Sequence, residues 1–356
     1  MRSTYDINLS YQDNYENGPF FDGPFPKVEN KKECTFLGKV LNSTLGVPAG
    51  PLLNEKYTTL YAKLGFDIIT YKTVRSVYIP AHPAPNCVYV PSEYIKNDEI
   101  GDTVNQLNID FVKDNEISIT NSFGMPSQAP EEWQVDLRKA VQNIGEKQML
   151  IASVVGTGED TDEWVKDIVE TSIMAKETGV DAIELDISCP NVGKSRAGSV
   201  YLDAEFSGLI AKECKEAIGD TPLLIKVGYF EDLHVLEDVL AANAPYIDGI
   251  VAINTIRMKV EDENGESPLP GEGREFSGVC GKAINKLAQQ TVKDILLIKN
   301  RMNYDFAVIG CGGVVEAEDI DEYYALGVDG VMTATGAMWN PYLAHQWKSK
   351  NIACNV

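Results

Sequence analysis

Paired cysteines are missing from this chain. Its seven cysteines (34, 87, 189, 214, 280, 311 and 354) are odd in number, scattered, and never spaced as C-x-x-C. That removes support for a disulfide framework, a zinc site or a cysteine-ligated iron–sulfur cluster, and no metal is expected. Most of these thiols should be small buried hydrophobes. Basic residues are also short: 31 Lys and Arg face 53 Asp and Glu, a formal charge of −22. A surface this acidic repels phosphate backbones and anionic headgroups, so neither nucleic acid nor a membrane is an expected partner. An anionic ligand needs a local basic or backbone-amide pocket. No stretch approaches the roughly 18 apolar residues of a membrane helix, and the opening MRSTYDINLSYQDNYENG lacks the apolar core of a secretory signal, so the expected location is the cytoplasm. What is present is ordinary globular composition, 44% hydrophobic and 24% charged over 356 residues, long enough for one large domain or two smaller ones.

Residues 1–38 are polar, rich in Tyr, Asn and Asp, without sustained period, and read as an extended N-terminal arm. Beyond it a pattern recurs as LGFDIIT (64–70), TGVDAIEL (178–185) and LGVDGVMT (326–333), with a variant YIDGIVAIN (246–254). It describes a helix ending on a left-handed Gly, a short loop, and a strand too apolar to alternate. Eight such strands are predicted, near 46–50, 67–72, 149–154, 181–187, 222–227, 248–254, 306–311 and 329–334. Helical stretches such as 160–178, 203–218, 282–300 and 316–326 lie between them. Eight evenly spaced βα units predict a TIM (β/α)8 barrel over 39–356 in preference to a doubly wound sheet. One excursion, 73–148, breaks the spacing after the second strand and is expected to form an active-site lid or wall, or else a structural insertion.

In a barrel, polar residues at strand C-terminal ends face the active site. Here those ends carry Ala49-Gly50, Lys72-Thr73, Asp186-Ile187-Ser188-Cys189-Pro190-Asn191, Lys226, Asn254-Thr255, Cys311-Gly312-Gly313 and Thr335-Gly336. A lone strand-end lysine is usually a paired surface residue; two lysines together with Asn and a Cys-Pro-Asn turn point to chemistry. The Gly-rich ends of the last two strands suit a phosphorylated ligand held by backbone N–H groups, with plain tight turns as the alternative. SGVCGKAI (277–284) reads as a third Gly-rich loop near that face.

At ELDISCPN the chain resembles the class 1 dihydroorotate dehydrogenases, FMN-dependent barrels closest in kind to class 1A, and more distantly the flavin domain of dihydropyrimidine dehydrogenase. The matching pieces are VPAGPL (48–52 and flanks), ITYKT (69–73), NSFGMP (121–126), IELDISCPNV (183–192), LLIKVG (223–228), VAINT (251–255), SGVCGKAI, VIGCGGV (308–314) and GVMTATGAM (330–338). The resemblance implies FMN, with Lys72 and Lys226 against the flavin. It implies that Gly312, Gly313, Thr335 and Gly336 hold the phosphate and that Ala49, Gly50, Gly278 and Asn254 line the cofactor. It also implies that Asn121, Asn191, Asn254 and Thr255 bond a planar pyrimidine, with Asp186 beside them, and that Cys189 is the base, Lys72 sharing the catalytic site. The implied activity is CH–CH oxidation of dihydroorotate to orotate in pyrimidine biosynthesis, by a homodimer using a small soluble acceptor such as fumarate.

Two departures qualify this. The family has Asn where this chain has Asp186, and an ionised Asp only accepts hydrogen bonds and repels a carboxylate substrate. The family's G-N-P-x-P-R run is altered to HPAPNC (82–87), losing its arginine, and 91–118 is longer than usual. The flavin half is intact and the substrate half is edited. The alternatives are a related flavin enzyme acting on an amine-bearing unsaturated compound, a flavin-free lyase using Lys72 or Lys226 as a Schiff-base amine, and a non-catalytic sensing barrel.

Overall fold

A computed structural model describes residues 3–27, 33–113, 115–188 and 200–353. Eight parallel strands close into a barrel in chain order: β1 (Leu45–Val47), β2 (Ile68–Val74), β3 (Met149–Val154), β4 (Ala182–Asp186), β5 (Leu223–Val227), β6 (Gly249–Ala252), β7 (Ala307–Cys311) and β8 (Gly330–Met332). β3, β4 and β5 are buried at every position, because helices cover the outside and side chains fill the inside. The fold is the TIM barrel that the strand spacing predicts.

The recurring Gly-x-Asp pattern has a mechanical explanation. Gly65, Gly179 and Gly327 take positive φ of 96°, 92° and 94°, which lets each preceding helix stop and turn back. The following aspartates then cap the neighbouring strand: Asp181 accepts from Leu150 N at 2.8 Å, and Asp329 from Val308 N at 2.8 Å. Asp248, in the variant repeat, accepts from Leu223 N at 2.8 Å. Helices are closed at the other end by side-chain caps, as where Asp160 accepts from Glu163 N ahead of Thr161–Lys176 and Asp203 from Phe206 N ahead of Ala204–Ile218.

The N-terminal end of the barrel is stoppered. A hairpin, Cys34–Phe36 with Lys39–Leu41, turns at Leu37-Gly38, both at positive φ, and lays Phe36 and Leu41 on an apolar layer including Ile68, Met149, Ile151, Leu224 and Ile309. The segment before it is not extended throughout: Tyr11–Asn17 is helical, started by a reciprocal Ser10–Asp13 capping box. Thr4 N donates to Met338 O at 3.0 Å and Phe20 N to Thr4 O at 2.9 Å, tying this stretch to the barrel.

At the opposite end stands a five-stranded sheet ordered Cys87–Tyr89, Ser118–Asn121, Phe276–Gly281, Ile256–Glu261, Thr103–Asn105. Three strands come from the 73–148 excursion and two from a second insertion after β6. SGVCGKAI is therefore mostly a strand rather than a glycine loop, paired on both sides, with Val279 opposite Thr120 and Ile256. Among the described residues no helix is long and apolar enough to cross a membrane.

Candidate functional site

A cavity partly open to solvent lies between the C-terminal ends of the strands and this sheet. β2 reaches it through a bulge. Tyr71 pairs with Ala152 and Val74 with Val154, so one extra residue is inserted into β2. In a regular strand, neighbours face opposite sides; the bulge lets both Lys72 and Thr73 line the cavity. On β4 and β5 the register sets Asp186 opposite Lys226, both 6% exposed and both on the cavity wall.

Of the residues singled out from the sequence, Ala49, Gly50, Lys72, Asn121, Asp186, Lys226, Asn254, Thr255, Gly312, Gly313 and Thr335 line this one cavity. Gly278 and Gly336 do not. Gly278 sits where any Cβ would strike Thr255 Oγ1, and Gly336 where one would meet Val314 O and Thr333 Oγ1, so both allow close packing behind the wall. Cys189 and Asn191 lie outside the described residues.

The polar groups form a connected set. Thr73 Oγ1 donates to Asp186 Oδ2 at 3.2 Å, and Asn254 Nδ2 reaches Asp186 Oδ1 at 3.4 Å and Ser188 Oγ at 3.3 Å. Thr255 N donates to Asn254 Oδ1 at 2.8 Å, fixing that amide's orientation. Asp186 thus takes donors from the protein itself. Asn121 Nδ2 donates to Gly278 O at 3.3 Å, and both it (3.7 Å) and Thr335 Oγ1 (3.5 Å) donate to Cys280 Sγ. Thr255 Oγ1 is buried and has no protein partner, as expected of a hydroxyl kept for a ligand.

Beside β7 the arrangement relies on backbone. Gly312 and Gly313 have φ of 125° and 71°, and Cβ atoms there would run into Ala288 and Asn285 respectively. Asn285 Nδ2 donates to Gly313 O at 3.1 Å and Tyr323 OH to Gly312 O at 2.7 Å, locking the turn. A Cβ on Gly50 would meet nothing within 4 Å. Glycine backbone without side chains in front of it, beside two lysines, is a donor set suited to a phosphorylated planar cofactor.

Sequence reasoning missed several wall residues. Tyr5 and Tyr11, from the N-terminal segment, stand edge-on to Phe123 at 5.7 and 6.0 Å; an aromatic-rich stretch without period was the available signal. Cys87, Cys280 and Cys311 also line the cavity. Burial drives all three thiols up, Cys280 to about 11, so they remain protonated and are poor bases. Behind the wall, Arg274, 3% exposed, donates to Ser122 O at 2.6 Å, Pro83 O at 2.9 Å and Pro85 O at 3.2 Å, and also to Pro270 O. It clamps the altered HPAPNC run to the NSFGMP segment from a position 188 residues beyond Asn86.

The family model described as "Dihydroorotate dehydrogenase" matches residues 109–351. The "Dihydroorotate dehydrogenase" of Dictyostelium discoideum is 38% identical over 363 residues, covering 98% of this chain and 97% of that protein. The chain belongs to the dihydroorotate dehydrogenase family. This member is also similar to "Dihydroorotate dehydrogenase B (NAD(+)), catalytic subunit" of Methanocaldococcus jannaschii, at 28% identity over 62% of the chain and 67% of the relative. It resembles the "NAD-dependent dihydropyrimidine dehydrogenase subunit PreA" of Escherichia coli K12 at 29% identity, over 60% of the chain and 50% of that protein. Among solved structures, that titled "Crystal structure of DHODH in complex with ferulenol from Eimeria tenella" superposes with a TM-score of 0.73 and 16% identity. It covers 96% of this chain and 89% of that one, a likeness of fold. Family membership makes this chain an oxidoreductase acting on CH–CH bonds and leaves no place for the Schiff-base lyase and sensing-barrel alternatives.

Proposed function

We propose that this chain oxidises dihydroorotate to orotate in pyrimidine biosynthesis, with FMN as its resident cofactor. The observation that carries the reading is the gathering of Lys72, Asn121, Lys226, Asn254, Thr255 and the Gly312-Gly313 turn on one cavity in a chain of this family.

The residues fit FMN. Gly312, Gly313 and Thr335 would hold the phosphate, and Ala49, Gly50, Lys72, Lys226 and Asn254 the ring system. Bound FMN supplies the two-electron acceptor for the hydride that leaves the substrate. The chain's own residues do the rest. Asn121, Asn191, Asn254 and Thr255 offer donors and acceptors to the alternating N–H and C=O edge of a pyrimidine-dione. Cys189 takes the proton from the carbon next to the ring carbonyl while the hydride leaves the adjoining carbon. Cys189 lies outside the described residues, and its role as base is the one that the family resemblance implies. Lys72 and Lys226 provide positive charge toward the site, offsetting the protein's negative field.

Asp186 does not call for an amine-bearing substrate, since Thr73 and Asn254 already supply its donors and Lys226 stands opposite it in register. We take the acceptor to be a small soluble oxidant such as fumarate, the assembly a homodimer and the location cytoplasmic. The test is direct. Purified protein should be yellow, release FMN on denaturation, and turn over dihydroorotate with fumarate or a dye. Colourless protein, or no turnover of dihydroorotate with any acceptor, rejects the proposal.

A further inference from the structure

Two amides on the cavity wall, Asn121 and Asn254, are each held in one orientation. Asn121 Nδ2 donates to Gly278 O at 3.3 Å and to Cys280 Sγ at 3.7 Å. A carbonyl oxygen only accepts, so the Asn121 atom that meets Gly278 O must be the nitrogen. Asn254 is fixed from its other end. The Thr255 N–H only donates, at 2.8 Å, so the atom it meets must be Oδ1, and Nδ2 is turned to Asp186 Oδ1 at 3.4 Å and Ser188 Oγ at 3.3 Å. An amide nitrogen carries two hydrogens, and in both side chains two protein acceptors already receive them. What each amide has to offer a ligand is its oxygen. That oxygen has two lone pairs, so a protein partner on one of them, as at Asn254, leaves it able to accept again.

Two residues set this polarity. Asp186 is engaged as an acceptor at both oxygens, from Thr73 Oγ1 and from Asn254 Nδ2. An asparagine in its place could present a nitrogen; the acid keeps its neighbours' hydrogens pointed into the protein. Cys280 plays the same part for Asn121. Asn121 stands opposite Gly278 in register, and Cys280, two residues further along that strand, has its side chain on the same face of the sheet. Its sulfur also receives Thr335 Oγ1 at 3.5 Å, which steadies it from the side of β8.

We propose that Asp186 and Cys280 are positioning residues that turn the amide oxygens of Asn254 and Asn121 toward the ligand, so that the site selects a ring by its N–H groups. This rests on the reading that the site takes a pyrimidine-dione, and it adds which atoms of that ring are read. A ring N–H meets an acceptor on this wall. A ring atom without hydrogen sets lone pair against lone pair and leaves a protein acceptor unsatisfied. The acid at 186 thereby has a use in the site that does not depend on an amine in the substrate.

The experiment is titration calorimetry of the FMN-saturated enzyme with orotate and with its two ring-oxygen analogues, in each of which one N–H is replaced by oxygen with little change of shape. In wild type at least one analogue should bind about tenfold more weakly than orotate. Cys280→Ala, which releases a hydrogen of Asn121, and Asp186→Asn, which brings in a donor, should each cut that ratio severalfold. Cys280→Ser keeps an acceptor at the position and should keep the ratio, which a role in packing alone would not require. Both analogues binding wild type as well as orotate does overturns the inference, as does a ratio unmoved in either Cys280→Ala or Asp186→Asn, or one lost as fully in Cys280→Ser as in Cys280→Ala. Should Cys280→Ala not fold, the wild-type ratio and Asp186→Asn decide. Each of these results leaves the proposed substrate standing, whereas wild type failing to bind orotate at all removes both.

Discussion

The two sides of the cavity are built by different means. On the side of β7 and β8, a glycine turn presents bare backbone and is locked by two nearby side chains, Asn285 and Tyr323. On the other side, side chains do the work: Lys72 through a bulge, Asn121 and Thr255 from segments joined in the five-stranded sheet, Asp186 and Asn254 bonded to each other. A phosphate is the same in every ligand that carries one, and fixed amides suffice for it. A substrate edge has its own pattern of donors and acceptors, and side chains can be exchanged to match it. The departures in this chain, Asp186 and HPAPNC, both fall on the second side.

The strongest test of that division is Cys189→Ala. Loss of the proposed base should lower kcat with dihydroorotate by about 10³-fold while the FMN absorbance per protein stays at the wild-type level; a parallel loss of cofactor would erase the separation. Gly313→Val attacks the other side. A branched residue at φ 71° with its Cβ against Asn285 costs about 1–3 kcal/mol, so FMN affinity should fall roughly 10- to 100-fold, read from cofactor retained on dilution and gel filtration.

Arg274→Met probes the substrate side from behind. The clamp on Ser122, Pro83 and Pro85 is lost without touching the cavity, so kcat/KM for dihydroorotate should fall about tenfold with cofactor content unchanged. An unchanged kcat/KM would show that the HPAPNC run stands without it. The smallest effect is expected for Thr255→Val. Removing an unpartnered hydroxyl should weaken orotate binding severalfold, about 1 kcal/mol, and leave the melting temperature unchanged or slightly higher.

The same contrast governs what could be read from the sequence. The barrel was legible because each βα unit is a local event: a left-handed glycine, an aspartate capping the next strand, a buried apolar run. The glycine turn after β7 was legible for the same reason. The five-stranded sheet was not, since it joins Asn121 to Gly278 across 157 residues and the linking stretch, DENGESPLPGEGRE, has the composition of a loop. Arg274 was hidden within that stretch. Tyr5 and Tyr11 were missed because a single capped helix of seven residues anchors their segment, too short for periodicity to register.

The hairpin under the barrel has one more consequence. With Phe36 and Leu41 filling the base, traffic must pass through the mouth on the side of the inserted sheet. If the reductant and the oxidant share that doorway, each must leave before the other comes in, and steady-state rates plotted against either reactant should give parallel reciprocal lines.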